Sequence, residues 1–130
     1  MKKIGLLFLF AYSQIILPQS FDFNSSENIK KFADYLYCTN DYIRAISEYE
    51  KCLFTNDKYF SSVDYDTIRY KISVSQINLK KYDKASHNLE MLFNSKLKDE
   101  SILQYYKTNY LHNKLNYIVN NYNLLDSNKN

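Results

Sequence analysis

The chain has 130 residues, with seventeen basic and fourteen acidic side chains and a net charge of +3. That length suits one domain once any targeting segment is set aside. The weak charge, with lysines interleaved among Asp and Glu, excludes the long-range positive field that phosphate backbones attract, so nucleic acid is not expected as a partner. Fourteen tyrosines accompany abundant Asn, Lys, Ile and Phe, which reads first as the usage of an AT-rich genome.

Lys2 and Lys3 precede the apolar run Ile4 to Ala11, and polar residues with Pro18 follow, so residues 1–20 read as a secretory signal. Ala11-Tyr12-Ser13 satisfies the small-x-small preference for cleavage near residue 13, and a second exit lies after Ser20. An uncleaved anchor is the competing reading, and membrane contact is expected only in that case. The apolar run, interrupted at Ser13 and Gln14, is shorter than the ~20 residues a span needs. No cysteine lies near the end of the segment, so a lipoprotein signal is not expected. Export is expected, to the periplasm or cell envelope if the source is bacterial. Without residues 1–20, fifteen basic side chains face fourteen acidic ones, a net charge of +1.

Residues 21–130 contain neither glycine nor proline, since Gly5 and Pro18 both fall in the leader. Long apolar-periodic runs without these breakers favour helix, and tight β-hairpins that need glycine at positive φ become hard to build. The sequence therefore predicts an all-α domain over 21–130. Asn24-Ser25-Ser26-Glu27 reads as a capping-box start, and Ile29, Phe32, Ala33 and Leu36 then recur on one helical face. Thr39-Asn40-Asp41 is the expected break, because these side chains compete for backbone hydrogen bonds and readily cap a new helix. The second helix carries the stripe Tyr42, Ala45, Ile46, Tyr49, Cys52 and Leu53. So short a connection predicts an antiparallel hairpin.

Thr55 to Asp64 is polar and ends in Asp64 and Asp66, either of which could cap a third helix. That helix has Tyr65, Ile68, Ile72 and Leu79 on one side and Tyr70, Val74 and Ile77 on an adjoining one. Tyr82, Ala85, Leu89, Leu92 and Phe93 then repeat the offsets of the second helix, with Ser86 where Ile46 stood. Beyond a polar break at Asn94 to Asp99, Leu103, Tyr106 and Tyr110 precede the rotated stripe Leu111, Leu115, Ile118, Tyr122 and Leu125. This region is either a third hairpin bent near His112-Asn113, the preferred reading, or one long helix. Asp126 to Asn130 is expected to fray.

Few residues suggest chemistry. The chain has no Gly-rich phosphate loop, no paired-Cys metal spacing and no His-Glu-x-x-His arrangement. No catalytic residue, cofactor, metal or small-molecule substrate is expected. His87 and His112 read as surface histidines. Cys38 lies just before the hairpin turn and Cys52 eleven residues after Asp41, roughly 15 Å apart along the hairpin at 1.5 Å per residue. A disulfide needs Cα atoms within ~7 Å, so Cys52 reads as buried packing and Cys38 as available for an intermolecular bridge.

The echo of Tyr42, Ala45 and Tyr49 in Tyr82, Ala85 and Leu89 resembles the tetratricopeptide repeat (TPR), a pair of antiparallel helices of about 34 residues. Ile29 matches the first unit's large apolar position, Phe32-Ala33 the Leu-Gly pair and Asn40-Asp41-Tyr42 the Gly-Asp-Tyr turn. Ala45, Tyr49 and Cys52 match the small-aromatic-small series. In the second unit Ile72-Ser73 match the Leu-Gly pair, Lys80-Lys81-Tyr82 the turn, and Ala85 and Leu89 the small-then-bulky pair. There the fit departs, with Leu92 replacing a small residue, Arg69 where a large apolar one belongs, and the terminal proline absent from both units. The spacing of forty between Ala45 and Ala85 exceeds the family period by about six, assigned to a loop around Lys58 to Ser62, with helix lengthening as the competing explanation.

The resemblance implies a short right-handed solenoid of units at about 27–54, 66–93 and 100–125. It also implies a non-enzymatic exported scaffold or adaptor that binds a protein or peptide along the first helix of each unit. The groove residues it indicates are Lys30, Asp34, Tyr37, Tyr70, Val74 and Ile77. The alternative is a structural or docking segment of a larger cell-envelope assembly without a peptide groove. Because each unit buries its face against a neighbour, self-association, docking onto something larger and membership of a longer array all stay open.

Overall fold

The computed structural model describes Asp22 and residues 24–127; the leader and its cleavage positions lie outside the described residues. Among the described residues all regular structure is helical: α1 Ser26–Cys38, α2 Tyr42–Thr55, α3 Ser62–Asn78, α4 Tyr82–Glu90 and α5 Lys98–Ser127. Each helix packs on its neighbours in sequence, α1 on α2, α2 on α3, α3 on α4 and α4 on α5. None of these helices is long and apolar enough to cross a membrane.

Side-chain caps set the starts of α1, α2 and α3, while α4 begins after Lys81 without one. Ser25 caps α1 by accepting from Asn28 N–H, so Asn24 is not the cap, and Glu27 pairs with Lys31 at 2.6 Å. Asp41 caps α2 through Arg44 N–H. Ser61, not Asp64 or Asp66, caps α3. Its hydroxyl accepts from Asp64 N–H while Asp64 accepts from Ser61 N–H, a reciprocal capping box.

The echo in sequence is an echo in backbone geometry. After α1, Asn40 adopts φ 63°, Asn40 N–H bonds Tyr37 C=O at 3.1 Å, and Asp41 N–H bonds Leu36 C=O at 2.9 Å. After α3, Lys80 adopts φ 58°, Lys80 N–H bonds Ile77 C=O at 2.9 Å, and Lys81 N–H bonds Gln76 C=O at 2.8 Å. Both are Schellman closures with the left-handed residue that normally favours glycine. The period is long chiefly because α3 has 17 residues where α1 has 13. Helix lengthening, not the loop, supplies most of the excess.

Ala33, Leu36, Ala45, Tyr49, Cys52, Phe60, Ile68 and Ile72 form one buried cluster. Ala33, Ala45, Ser73 and Ala85, the small residues of the two units, are all fully buried, as close helix approach requires. Phe32 departs from the expected stripe: it is 42% exposed, its ring lying under the Arg44 guanidinium. The α2–α3 connection is pinned by Ser26 donating to Asp57 and by Tyr65 donating to Asp57 C=O at 2.9 Å.

The last segment corrects two expectations. It is one helix of 30 residues, and Asp126 and Ser127 belong to it, while the rest of the expected tail, 128–130, lies outside the described residues. At the expected bend the helix continues, and His112 Nδ1 sits 3.1 Å from the Asp83 carboxylate and beside the Tyr82 ring. Leu103, Tyr106 and Tyr110 point outward, while Ser101 and Thr108 are fully buried. Periodicity of large apolar residues chose the wrong face because the contact with α4 is close enough to select small side chains. Tyr105 completes it, edge-to-face on Phe93 at 5.3 Å.

Candidate functional site

Lys30, Asp34 and Tyr37 follow at four and three residues on α1 and meet one residue each from α2 and α3. Asp34 is the centre. Tyr49 of α2 donates its hydroxyl to Asp34 Oδ1, Lys71 Nζ of α3 donates to the same oxygen at 2.7 Å, and Lys30 Nζ donates to Oδ2 at 3.1 Å. The Lys30, Asp34 and Lys71 side chains are each about a quarter exposed, so this is a surface cluster with a buried floor.

The aromatic rings form that floor. Tyr37 lies edge-to-face with Tyr42 at 6.1 Å and with Tyr49 at 6.5 Å, and the Lys71 ammonium stands 5.6 Å above the Tyr37 ring and 5.9 Å above that of Tyr49. A cation over two tyrosine faces is held electrostatically as well as by its carboxylate. Tyr37 thus spends most of its surface inside the molecule and keeps a smaller part exposed.

Burial raises the Asp34 carboxyl, but hydrogen bonds from Lys71, Tyr49 and Lys30 outweigh it and hold the group below its ordinary range. Burial and then the Asp34 charge push the Tyr49 phenol up. Burial, followed by Tyr42 and Tyr70, pushes Tyr37 up as well, which places Tyr70 within electrostatic reach of it. At neutral pH the cluster is therefore one carboxylate, two ammonium groups and neutral phenols. Asp64 also lies within electrostatic reach of Lys30.

Tyr70, Val74 and Ile77 are half-buried along α3, on the side turned away from Ile68 and Ile72. Val74 and Ile77 engage their own helix end through backbone oxygens, accepting from Asn78 Nδ2 and Lys80 N–H at 2.9 Å each. Two members of the cluster escaped sequence reasoning. Lys71 gives no local signal, because its partner lies 37 residues away. Tyr49 shows only its packing role in the sequence, although a buried tyrosine requires a hydroxyl partner.

The remaining reactive groups are apart from this surface. Both cysteines are free, Cys38 exposed and Cys52 buried, and burial pushes the Cys52 thiol up to about 11, so at neutral pH it is protonated and unreactive. His87 is exposed. Among the described residues no three His, Cys, Asp or Glu side chains group as metal ligands. A cleft of about 240 Å³ borders Lys30, lined also by Glu27, Lys31, Tyr59, Phe60 and Asp64. No protein-family model matches the chain, and neither does a curated protein or a solved structure.

Proposed function

We propose that the chain is an exported, non-enzymatic scaffold of TPR-like helix hairpins that binds a protein or peptide segment on the face shared by α1 and α3. The observation that carries this reading is the Asp34 cluster. Two successive hairpins meet there in a partly exposed patch of tyrosine rings and fixed charges, the mixture enriched at protein interfaces. The matching turns at Asn40 and Lys80 and the buried small residues of both units support the solenoid arrangement, in which successive first helices line one face.

The Lys71 ammonium standing over the tyrosine rings favours a partner segment that brings a carboxylate beside an apolar side chain. The latter would rest on Tyr37 and Tyr70, and the former would reach Lys30 or Lys71. Replacing Tyr37 and Tyr70 together by alanine is expected to abolish co-purification of the bound protein while leaving helicity unchanged. Undiminished co-purification counts against this face.

A second reading, a docking segment of a larger envelope assembly, is favoured by the large apolar side chains exposed along α5. A chain that is unfolded when purified alone and helical only in an assembly would select it. Export itself is tested by cell fractionation, which should place the chain outside the cytoplasm.

A further inference from the structure

α4 spans nine residues and α5 thirty, so the packed stripe of α5 outlasts the helix that covers it. Ser101 and Thr108 are fully buried, Leu111 is half-buried, and every residue from Asn113 to Asn120 is exposed. On that uncovered arm the same stripe continues with larger side chains, Leu115 39% exposed, Ile118 53%, Val119 47% and Tyr122 71%. The opposite face is a row of amides, Asn113, Asn116, Asn120 and Asn123.

We propose that a second copy of this chain covers the arm, the two α5 helices lying antiparallel. Leu111, Leu115, Ile118 and Tyr122 are spaced by four, three and four residues, the a/d rhythm of a paired-helix seam. An antiparallel alignment about a two-fold axis near Asn116-Tyr117 sets Leu115 against Ile118 of the other copy and Leu111 against its Tyr122, each contact being made twice. The seam is continuous with the α4–α5 contact. Parallel pairing would drive the two α4 helices together, whereas antiparallel pairing leaves them at opposite ends.

Charge and area agree with this occupant. Between Asn113 and Asn123 Lys114 is the only charged side chain, and this alignment brings it to the other copy's Asn121, whose amide oxygen can accept from it. An arm made for an anionic lipid surface would carry Lys and Arg on its polar face; here that face is amide. With an aromatic side chain presenting roughly 150–250 Å² and aliphatic ones less, the exposed fractions of Leu115, Ile118, Val119 and Tyr122 leave on the order of 400 Å² per copy. Two copies together supply most of the ~1,000 Å² expected of a specific interface, and the flanking Lys114 and Asn121 contacts add to it.

The test is sedimentation equilibrium of the full chain across a wide concentration range, under reducing conditions so that Cys38 cannot link copies. The expected mass is twice that of one chain. Leu115→Glu with Ile118→Glu should halve it without loss of helicity, because both positions are already exposed. Leu103→Glu with Tyr117→Glu, exposed but off the seam, should leave the dimer intact. A single-chain mass throughout, a dimer indifferent to the first pair, or a monomer that instead pellets with vesicles of mixed zwitterionic and anionic phospholipid overturns the proposal.

Discussion

Asp34 accepts from Tyr49, Lys71 and Lys30, each on a different turn or helix, so one carboxylate ties α1 to both α2 and α3. Tyr49→Phe keeps the buried ring and removes only the hydroxyl, and a hydrogen bond to a charged group is worth about 1.5–3 kcal/mol. A loss in that range is expected in urea unfolding at neutral pH. The pH dependence carries a fixed sign. Because the folded Asp34 carboxyl lies below its ordinary value, its contribution is complete above the unfolded value of about 3.9 and disappears as pH falls through the folded one. The difference between the native chain and Tyr49→Phe should therefore shrink below about pH 4, and a difference that persists unchanged would remove Asp34 from the account.

At the scale of the element, the two turns differ in how well their residues suit them. Asparagine tolerates the left-handed region, whereas lysine at Lys80, φ 58°, sits where a Cβ is penalised by roughly 1–2 kcal/mol. Lys80 is exposed, so Lys80→Gly is expected to raise stability by about 1 kcal/mol, with a smaller gain for Asn40→Gly, both read from unfolding midpoints at constant slope. The stripe of α2 could be read from the sequence because its buried residues are apolar or small at helical spacing; that of α4 could be read only as far as Leu89, since α4 ends at Glu90 and Leu92 and Phe93 lie in the turn that follows. Those of α1 and α5 were only partly legible: Phe32 is drawn outward by Arg44, and the covered face of α5 is Ser101 and Thr108, which hydropathy does not mark. The continuity of α5 through His112-Asn113 was hidden as well, although the residues there carry no breaker, since the neighbours of His112, Asp83 and Tyr82, lie some thirty residues earlier.

For the molecule as a whole, the all-helical class followed from a region free of glycine and proline, and the chain-order packing from its short polar breaks. The α1 half of the candidate surface, Lys30, Asp34 and Tyr37, was legible as one helical face. Its completion by Lys71 and Tyr49 was not, because that meeting exists only once two hairpins are stacked. The central claim is that this composite face receives a protein segment. Its most direct test is a photo-crosslinking side chain placed in turn at Tyr70, beside the cluster, and at Ile43, exposed on α2. The account predicts a discrete adduct from position 70 that disappears when Tyr37→Ala is added, and none from position 43; equal adducts from both positions, or one from position 43 alone, would contradict it.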